Sequence, residues 1–335
     1  MQGDTDFSGK RVLVVGGSSG IGNGIAHAFR QRGAEVHVWG TRANAADYDP
    51  ADGSDLSGLG YASVDVGDPD AMAIRALCTD SDTLLLEHTV LPDDFFVACP
   101  QERRIIFMGT GAGTYVDLAQ AHARGVRVDT ITGYGDQAVA EHALALTFAA
   151  ARQIARMDRD VRAGTWRPLE GLQLAGRKVA VVGLGGIGTA YARLAAAVGM
   201  AVSGWSASPR ADAWYESDLD RALRHADVVS LHLALNADTT AILNATRLAL
   251  PSRGFLLVNT ARALLVDQSA LLDGLASGHI GHAALDVFER EPLPSDDPLL
   301  RHDRVTVTSH AAYMTEDAYE ALWRKAMAVV LDTHA

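Results

Sequence analysis

Lysine is almost missing from this chain of 335 residues: only Lys10, Lys178 and Lys325 occur. That scarcity argues against Schiff-base chemistry and any lysine-dependent catalytic motif. Cysteine is equally sparse. Cys78 and Cys99 are too few for a disulfide framework or a cysteine-rich zinc site, so no metal is expected and a reducing compartment is. The longest apolar stretch, residues 138–151, carries Glu141 and His142 and is too short to span a membrane. The opening MQGDTDFSGK has neither a basic nor an apolar region of a secretory signal, which makes a cytoplasmic protein the expectation. Positive charge is in deficit, with 29 Lys and Arg against 41 Asp and Glu and a net charge of −12. Such a chain repels phosphate backbones, so nucleic acid is not an expected partner. A small anionic substrate would need a local arginine to capture it.

What is abundant is glycine, 32 residues, and apolar side chains, 48% of the chain. The length points to about two domains. Short β-branched runs alternate with helical stretches: RVLVV (11–15), AEVHVW (34–39), YASVDV (61–66), DTLLLE (82–87), RIIFMG (104–109) and VRVDTI (126–131). A second series follows, from RKVAVVG (177–183) through MAVSGW, DVVSLHL, GFLLVNT and HAALDVF to RVTVTS (304–309). This alternation predicts an α/β protein of two Rossmann-like parallel-sheet domains. Apolar residues at helical spacing predict one long helix over 137–163, joining the two, with a cleft between them. A last helix is expected over 315–332, packed back on the first domain.

The second series opens with a strand, then Gly183, Leu184, Gly185, Gly186, Ile187 and Gly188, then a helical run. Glycines 183, 185 and 188 have the GxGxxG spacing in its proper context. The first glycine permits a tight turn, the second lets backbone approach a pyrophosphate, and the third lets helix and strand pack closely. A nicotinamide dinucleotide is therefore expected here. At the end of the next strand stand Ser206, Ser208 and Arg210, with no carboxylate to repel a 2′-phosphate, so NADP is expected over NAD.

The first series has another fingerprint, Gly16, Ser18, Ser19, Gly20, Ile21 and Gly22 after RVLVV. With Arg42 after the second strand and VDVGD at 64–68, residues 8–77 resemble the nucleotide-binding half of the short-chain dehydrogenases/reductases. The likeness ends before that family's chemistry. Tyr115 and Tyr134 are followed four residues on by Ala119 and Ala138, where a lysine is required. The loop is thus a vestigial turn, a second nucleotide or phosphate site, or part of a substrate pocket.

From about residue 81 to 331 the segments RRIIFMGTGAGTYVDLAQAHARGVRV, GYGDQAVAEHALAL, VVGLGGIG, DVVSLHLAL, VNTARALLVD, AALDVFEREPLP and VTSHAAYMTEDAY resemble, in order and spacing, the D-isomer-specific 2-hydroxyacid dehydrogenases. The resemblance implies a nucleotide domain over 139–311 and a substrate lobe made of 1–138 and 312–335. It implies a homodimer, and catalysis by Arg262, Glu291 and His310. A guanidinium can hold a 2-keto carboxylate at two points and polarise the neighbouring carbonyl. An imidazole can give the oxygen its proton, and a carboxylate beside it fixes the ring and favours the imidazolium. The match to a Glu-Pro pair selects Glu291 over Glu289. Gly111 and Ala112 match backbone donors to the substrate carboxylate. His232, Thr260, Ala261 and Asp286 match cofactor contacts, the last facing the nicotinamide amide.

The expected activity is interconversion of a small 2-keto acid and its D-2-hydroxy acid. The alternative is a nicotinamide-sensing regulatory protein on the same fold. The family normally opens with a flavodoxin-like lobe, and its replacement here by a short-chain-type start leaves the identity of the keto acid open.

Overall fold

In the computed structural model, the described residues are 6–14, 18, 20–40, 42–52, 54–63, 74, 78, 83–86, 90–109 and 111–331. Packing divides the chain into two units, one made of Met1–Tyr134 with Glu316–Ala335 and the other of Gly135–Thr315. The expected boundaries stood a few residues later and earlier, at 138/139 and 311/312.

The first unit holds a six-stranded, all-parallel sheet. Its strands are β1 (Arg11–Val14), β2 (Glu35–Gly40), β3 (Gly60–Ser63), β4 (Thr83–Leu86), β5 (Arg104–Phe107) and β6 (Arg127–Thr130), in the order β3-β2-β1-β4-β5-β6. Side chains alternate between the sheet faces. Leu84, Leu86, Ile105 and Phe107 face a cluster with Phe95, Phe96 and Val116. Leu85 and Ile106 face the opposite cluster with Ile25, Phe29, Leu322 and Ala326. The last two belong to the C-terminal helix Glu316–Leu331, which closes that face. Arg104 ties it down, donating to the Val329 carbonyl at 2.9 Å while paired with Asp129 at 2.6 Å, and Lys325 donates to the Thr132 carbonyl at 2.7 Å.

The second unit repeats the winding. Its strands are β7 (Lys178–Val182), β8 (Ala201–Trp205), β9 (Tyr215–Glu216), β10 (Val228–Leu231), β11 (Phe255–Asn259), β12 (Ile280–Leu285) and β13 (Val305–Val307). The sheet order is β13-β12-β11-β10-β7-β8-β9, again all parallel. Alternation splits this core as well. Ala180, Val182, Val229, Leu231 and Leu257 lie on one face; Val179, Val181, Val228, Leu256 and Val258 lie on the other. In both sheets the order reverses beside the first strand of the series, the place where open α/β sheets gather ligands at the carboxyl ends of their strands.

The long helix over 137–163 is two helices, Asp136–Ala151 and Ile154–Arg162. The break has a hydrogen-bonding cause. The Ala151 carbonyl, which a continuous helix would give to residue 155, accepts instead from the Leu172 amide at 2.7 Å. Gln153 then turns left-handed at φ 51° and donates its side chain to the Glu170 carbonyl at 2.7 Å. Among the described residues no helix is long and apolar enough to cross a membrane.

Candidate functional site

The glycine turn after β7 is built as its spacing demands. Gly183 sits at φ 107°, and a Cβ there would stand 2.4 Å from the His232 carbonyl oxygen. A Cβ on Gly188 would meet the Gly183 carbonyl, and one on Gly186 would meet the Asp136 carboxylate, each at 1.7 Å. Gly185 differs: a Cβ there meets nothing within 4 Å. It also precedes the helix Gly186–Ala197 with no side chain capping the first amides. Open space in front of uncapped amides at the positive end of a helix dipole fits a pyrophosphate. Ile187 packs half-buried behind the turn.

Further polar atoms flank this region. His232 is buried. Its Nε2 contacts the Ser230 hydroxyl at 2.9 Å, its ring lies 4.9 Å from that of Tyr191, and its Nδ1 has no protein partner. Burial drives its pKa down to about 3, so the ring is neutral. The Thr260 hydroxyl is also buried without a protein partner. Such orphaned buried groups ask for a ligand or water. Ser206 and Ser208 follow the end of β8, as the sequence places them. Arg210 reaches back to donate to the Leu184 carbonyl, with Asp212 3.8 Å from its Nε.

Three loops at the carboxyl ends of the second sheet carry the catalytic candidates. Arg262 follows β11 and is braced by a residue the sequence reading passed over, Asn259. The Asn259 side-chain Nδ2 donates to the Arg262 carbonyl at 2.9 Å and its Oδ1 accepts from the Ala261 amide at 3.0 Å. Glu291 follows β12 with both oxygens engaged, one by the Phe288 amide at 2.9 Å and the other by His310 Nδ1 at 2.7 Å. Burial alone would raise the Glu291 pKa. The hydrogen bonds from His310 and Phe288, with the charges of His310 and Arg262, overcome it and hold the carboxyl below its usual range. That influence of Arg262 places all three groups in one electrostatic neighbourhood. His310 follows β13 at φ 53°, with its side chain about a third exposed.

Asp286, at the end of β12, is fully buried. Its oxygens accept from the Thr308 hydroxyl at 2.5 Å and from the Ala311 and Ala312 amides at 3.0 Å each. His142 and Thr308 were not singled out from the sequence, yet they meet at 3.1 Å.

The remaining candidates lie in the first unit. Gly111 precedes the short turn Ala112–Thr114 after β5, and Ala112 is buried there. Ser18 is buried, and Gly20, Ile21 and Gly22 open the helix Gly20–Gln31. Gly16, Ser19 and the VDVGD segment lie outside the described residues. Arg42 is described: its guanidinium lies 4.7 Å over the Tyr48 ring.

Residues 144–312 match the family described as D-isomer specific 2-hydroxyacid dehydrogenase, NAD binding domain. A glyoxylate reductase of Korarchaeum cryptofilum is 35% identical over 262 residues, covering 74% of this chain and 78% of that one. The chain belongs to the D-isomer-specific 2-hydroxyacid dehydrogenases. It is an NAD(P)-dependent oxidoreductase. A D-3-phosphoglycerate dehydrogenase of Mycobacterium leprae is 36% identical over 76% of this dehydrogenase, which spans about half (49%) of that longer relative. The crystal structure of the TT0316 protein from Thermus thermophilus superposes with a TM-score of 0.79 at 29% identity, covering 94% of each chain.

Proposed function

We propose that this dehydrogenase reduces a small 2-keto acid to the D-2-hydroxy acid, and runs the reverse, with Arg262, Glu291 and His310 as its catalytic set. The observation that carries the reading is the 2.7 Å contact between His310 Nδ1 and Glu291, within the electrostatic reach of Arg262. A nicotinamide bound there would supply or accept the hydride. Arg262 holds the substrate carboxylate and draws electron density from the adjacent carbonyl. With Nδ1 committed to Glu291, His310 exchanges its proton with the substrate oxygen through Nε2. Glu291 orients the ring and stabilises the imidazolium. Gly111 and Ala112 are proposed as backbone donors to the carboxylate. Thr260, Ala261, His232 and Asp286 are proposed to line the nicotinamide side, and the glycine turn to bind the pyrophosphate.

NADP is the proposed preference, because Ser206, Ser208 and Arg210 follow β8 without an intervening carboxylate. A homodimer in the cytoplasm is the proposed form. Phe148, Ile154, Val161 and Trp166 expose apolar surface along one stretch of the second unit, and such surface is commonly covered in an assembly.

The deciding experiment follows NADPH and NADH consumption with glyoxylate, hydroxypyruvate, pyruvate, phenylpyruvate and phosphorylated 2-keto acids. Turnover on one of them that is abolished by His310→Gln is expected. Cofactor binding with no turnover on any, or a fully active His310→Gln protein, overturns the reading.

A further inference from the structure

We propose that Asp286, Thr308 and His142 form a hydrogen-bonded clamp that positions His310, an inference that rests on the reading of His310 as the acid and base. His310 occupies a left-handed backbone conformation, φ 53°, that side chains other than glycine rarely adopt. Such a conformation persists only where the surroundings over-determine it. Here Glu291 holds the imidazole, and a second carboxylate, that of Asp286, holds the residues on either side. Among the described residues, the hydrogen-bond donors to the Asp286 carboxylate all come from the stretch Thr308–Ala312, with His310 at its centre: the Thr308 hydroxyl, the Ala311 amide and the Ala312 amide. A buried carboxylate needs such donors to offset its lost hydration, and two backbone amides need an acceptor to end the turn. The demands of the two sides are met by the same three bonds.

The hydroxyl fixes the next link. Thr308 gives its proton to Asp286, so its oxygen faces His142 Nε2, 3.1 Å away, as an acceptor. His142 therefore carries a proton on Nε2. That proton also lies toward Asp286, whose Oδ1 is 3.7 Å from Nε2. His142 stands on the helix Asp136–Ala151, so the clamp ties the His310 turn to that helix as well as to β12. The same strand end anchors the arginine loop: the Asp286 amide donates to the Asn259 carbonyl at 2.9 Å, and the Asn259 side chain braces Ala261 and Arg262. The loops bearing Arg262 and His310 are thus both indexed to Asp286, one through its amide and one through its carboxylate. Thr308 and His142 act through His310 and are positioning residues; Asp286 has this role in addition to its proposed place on the nicotinamide side.

The test compares Thr308→Val, which keeps the shape and removes the hydroxyl, with Thr308→Ser, which restores it. Probes are glyoxylate, hydroxypyruvate and pyruvate at saturating cofactor, with circular dichroism and nicotinamide fluorescence reporting fold and cofactor affinity. Thr308→Val is expected to lower kcat by about a hundredfold, the effect of a misplaced reacting group, with the cofactor Kd little changed. Thr308→Ser is expected to recover most of the loss. Wild-type kcat in Thr308→Val, or equal impairment in both variants, overturns the clamp. Nitrogen NMR of His142 gives a reading independent of turnover and of the variants' folding: a proton on Nε2 is expected, and a bare Nε2 overturns the inference. If His310→Gln is inactive while Thr308→Val is not, the clamp alone fails. If His310→Gln turns over fully, the acid and base reading fails first.

Discussion

His310 and Glu291 meet at 2.7 Å although they belong to different loops, one after β13 and one after β12. The carboxylate is held on both sides, since its other oxygen takes the Phe288 amide. A group so fixed can orient an imidazole without moving. Replacing Glu291 with Gln keeps the size and removes the charge. The expected result is a fall in kcat of about 10²-fold, within the range of general acid–base contributions, with the KM for keto acid changed far less. Steady-state kinetics on the best substrate of the panel decide it. A kcat within threefold of wild type would show that the contact only packs the loop.

Arg262 is expected to act in both binding and chemistry. Arg262→Lys keeps the charge and loses the two-point fork. Both a raised KM and a lowered kcat are expected, with Arg262→Ala worse than Arg262→Lys by at least about tenfold, as the loss of a charge-assisted contact implies. Equal values for the two variants would mean that geometry at this position does not matter.

The glycine turn offers a contrast within a few residues. Gly188→Ala places a methyl where the Gly183 carbonyl stands, so a lowered Tm is expected. Gly185→Ala adds a methyl that meets no protein atom, so its Tm should stay close to wild type while cofactor affinity falls. Thermal denaturation and nicotinamide fluorescence separate the two. Unchanged cofactor affinity in Gly185→Ala would remove the pyrophosphate from this turn.

Acid should weaken the fold well before carboxylates titrate. Burial holds His232 neutral to about pH 3 and His282 to about pH 4, whereas both take a proton near 6.5 once unfolded. Between those values the unfolded chain binds more protons than the folded one, so stability rises with pH. It is complete above 6.5 and falls as pH drops, by about 1.4 kcal/mol per pH unit for each histidine. Denaturant midpoints measured from pH 7 to 4 should fall steadily, and His282→Gln should flatten the slope. An unchanged slope in that variant would exclude His282 as a contributor.

The parts of this molecule that could be read in the sequence are those coded locally. Short β-branched apolar runs between helical stretches marked most of both sheets, because a strand covered on both faces is written as a continuous apolar run. The GxGxxG turn was legible because its strand, glycines and helix are contiguous. Arg262, Glu291 and His310 were legible only through their motifs, since nothing near residue 291 states that residue 310 will meet it. The rest depends on backbone partners, or on side chains distant in sequence, that no local pattern encodes. The helix break at Gln153 is caused by the amide of Leu172, and a helical pattern cannot report a distant competitor for the Ala151 carbonyl. Two of the donors on Asp286 are amides of alanines. Asn259 braces the arginine loop with its side chain, but its partners are the main-chain carbonyl of Arg262 and the main-chain amide of Ala261.

The helix Glu316–Leu331 lies far downstream of the strands it covers, with the whole second unit between them, and synthesis makes that order matter. Val14, Ile25, Phe29, Val38 and Ile106 are made well before Leu322, Ala326 and Met327, which share their cluster. The segment 135–315, with its sheet entire, is available to fold while the N-terminal unit still lacks its final wall. The usual order, in which the first domain synthesised is the first to finish, is inverted. Throughout elongation the nascent chain presents an uncovered apolar face, a surface that chaperones can hold and that a premature stop near residue 315 would leave bare for good.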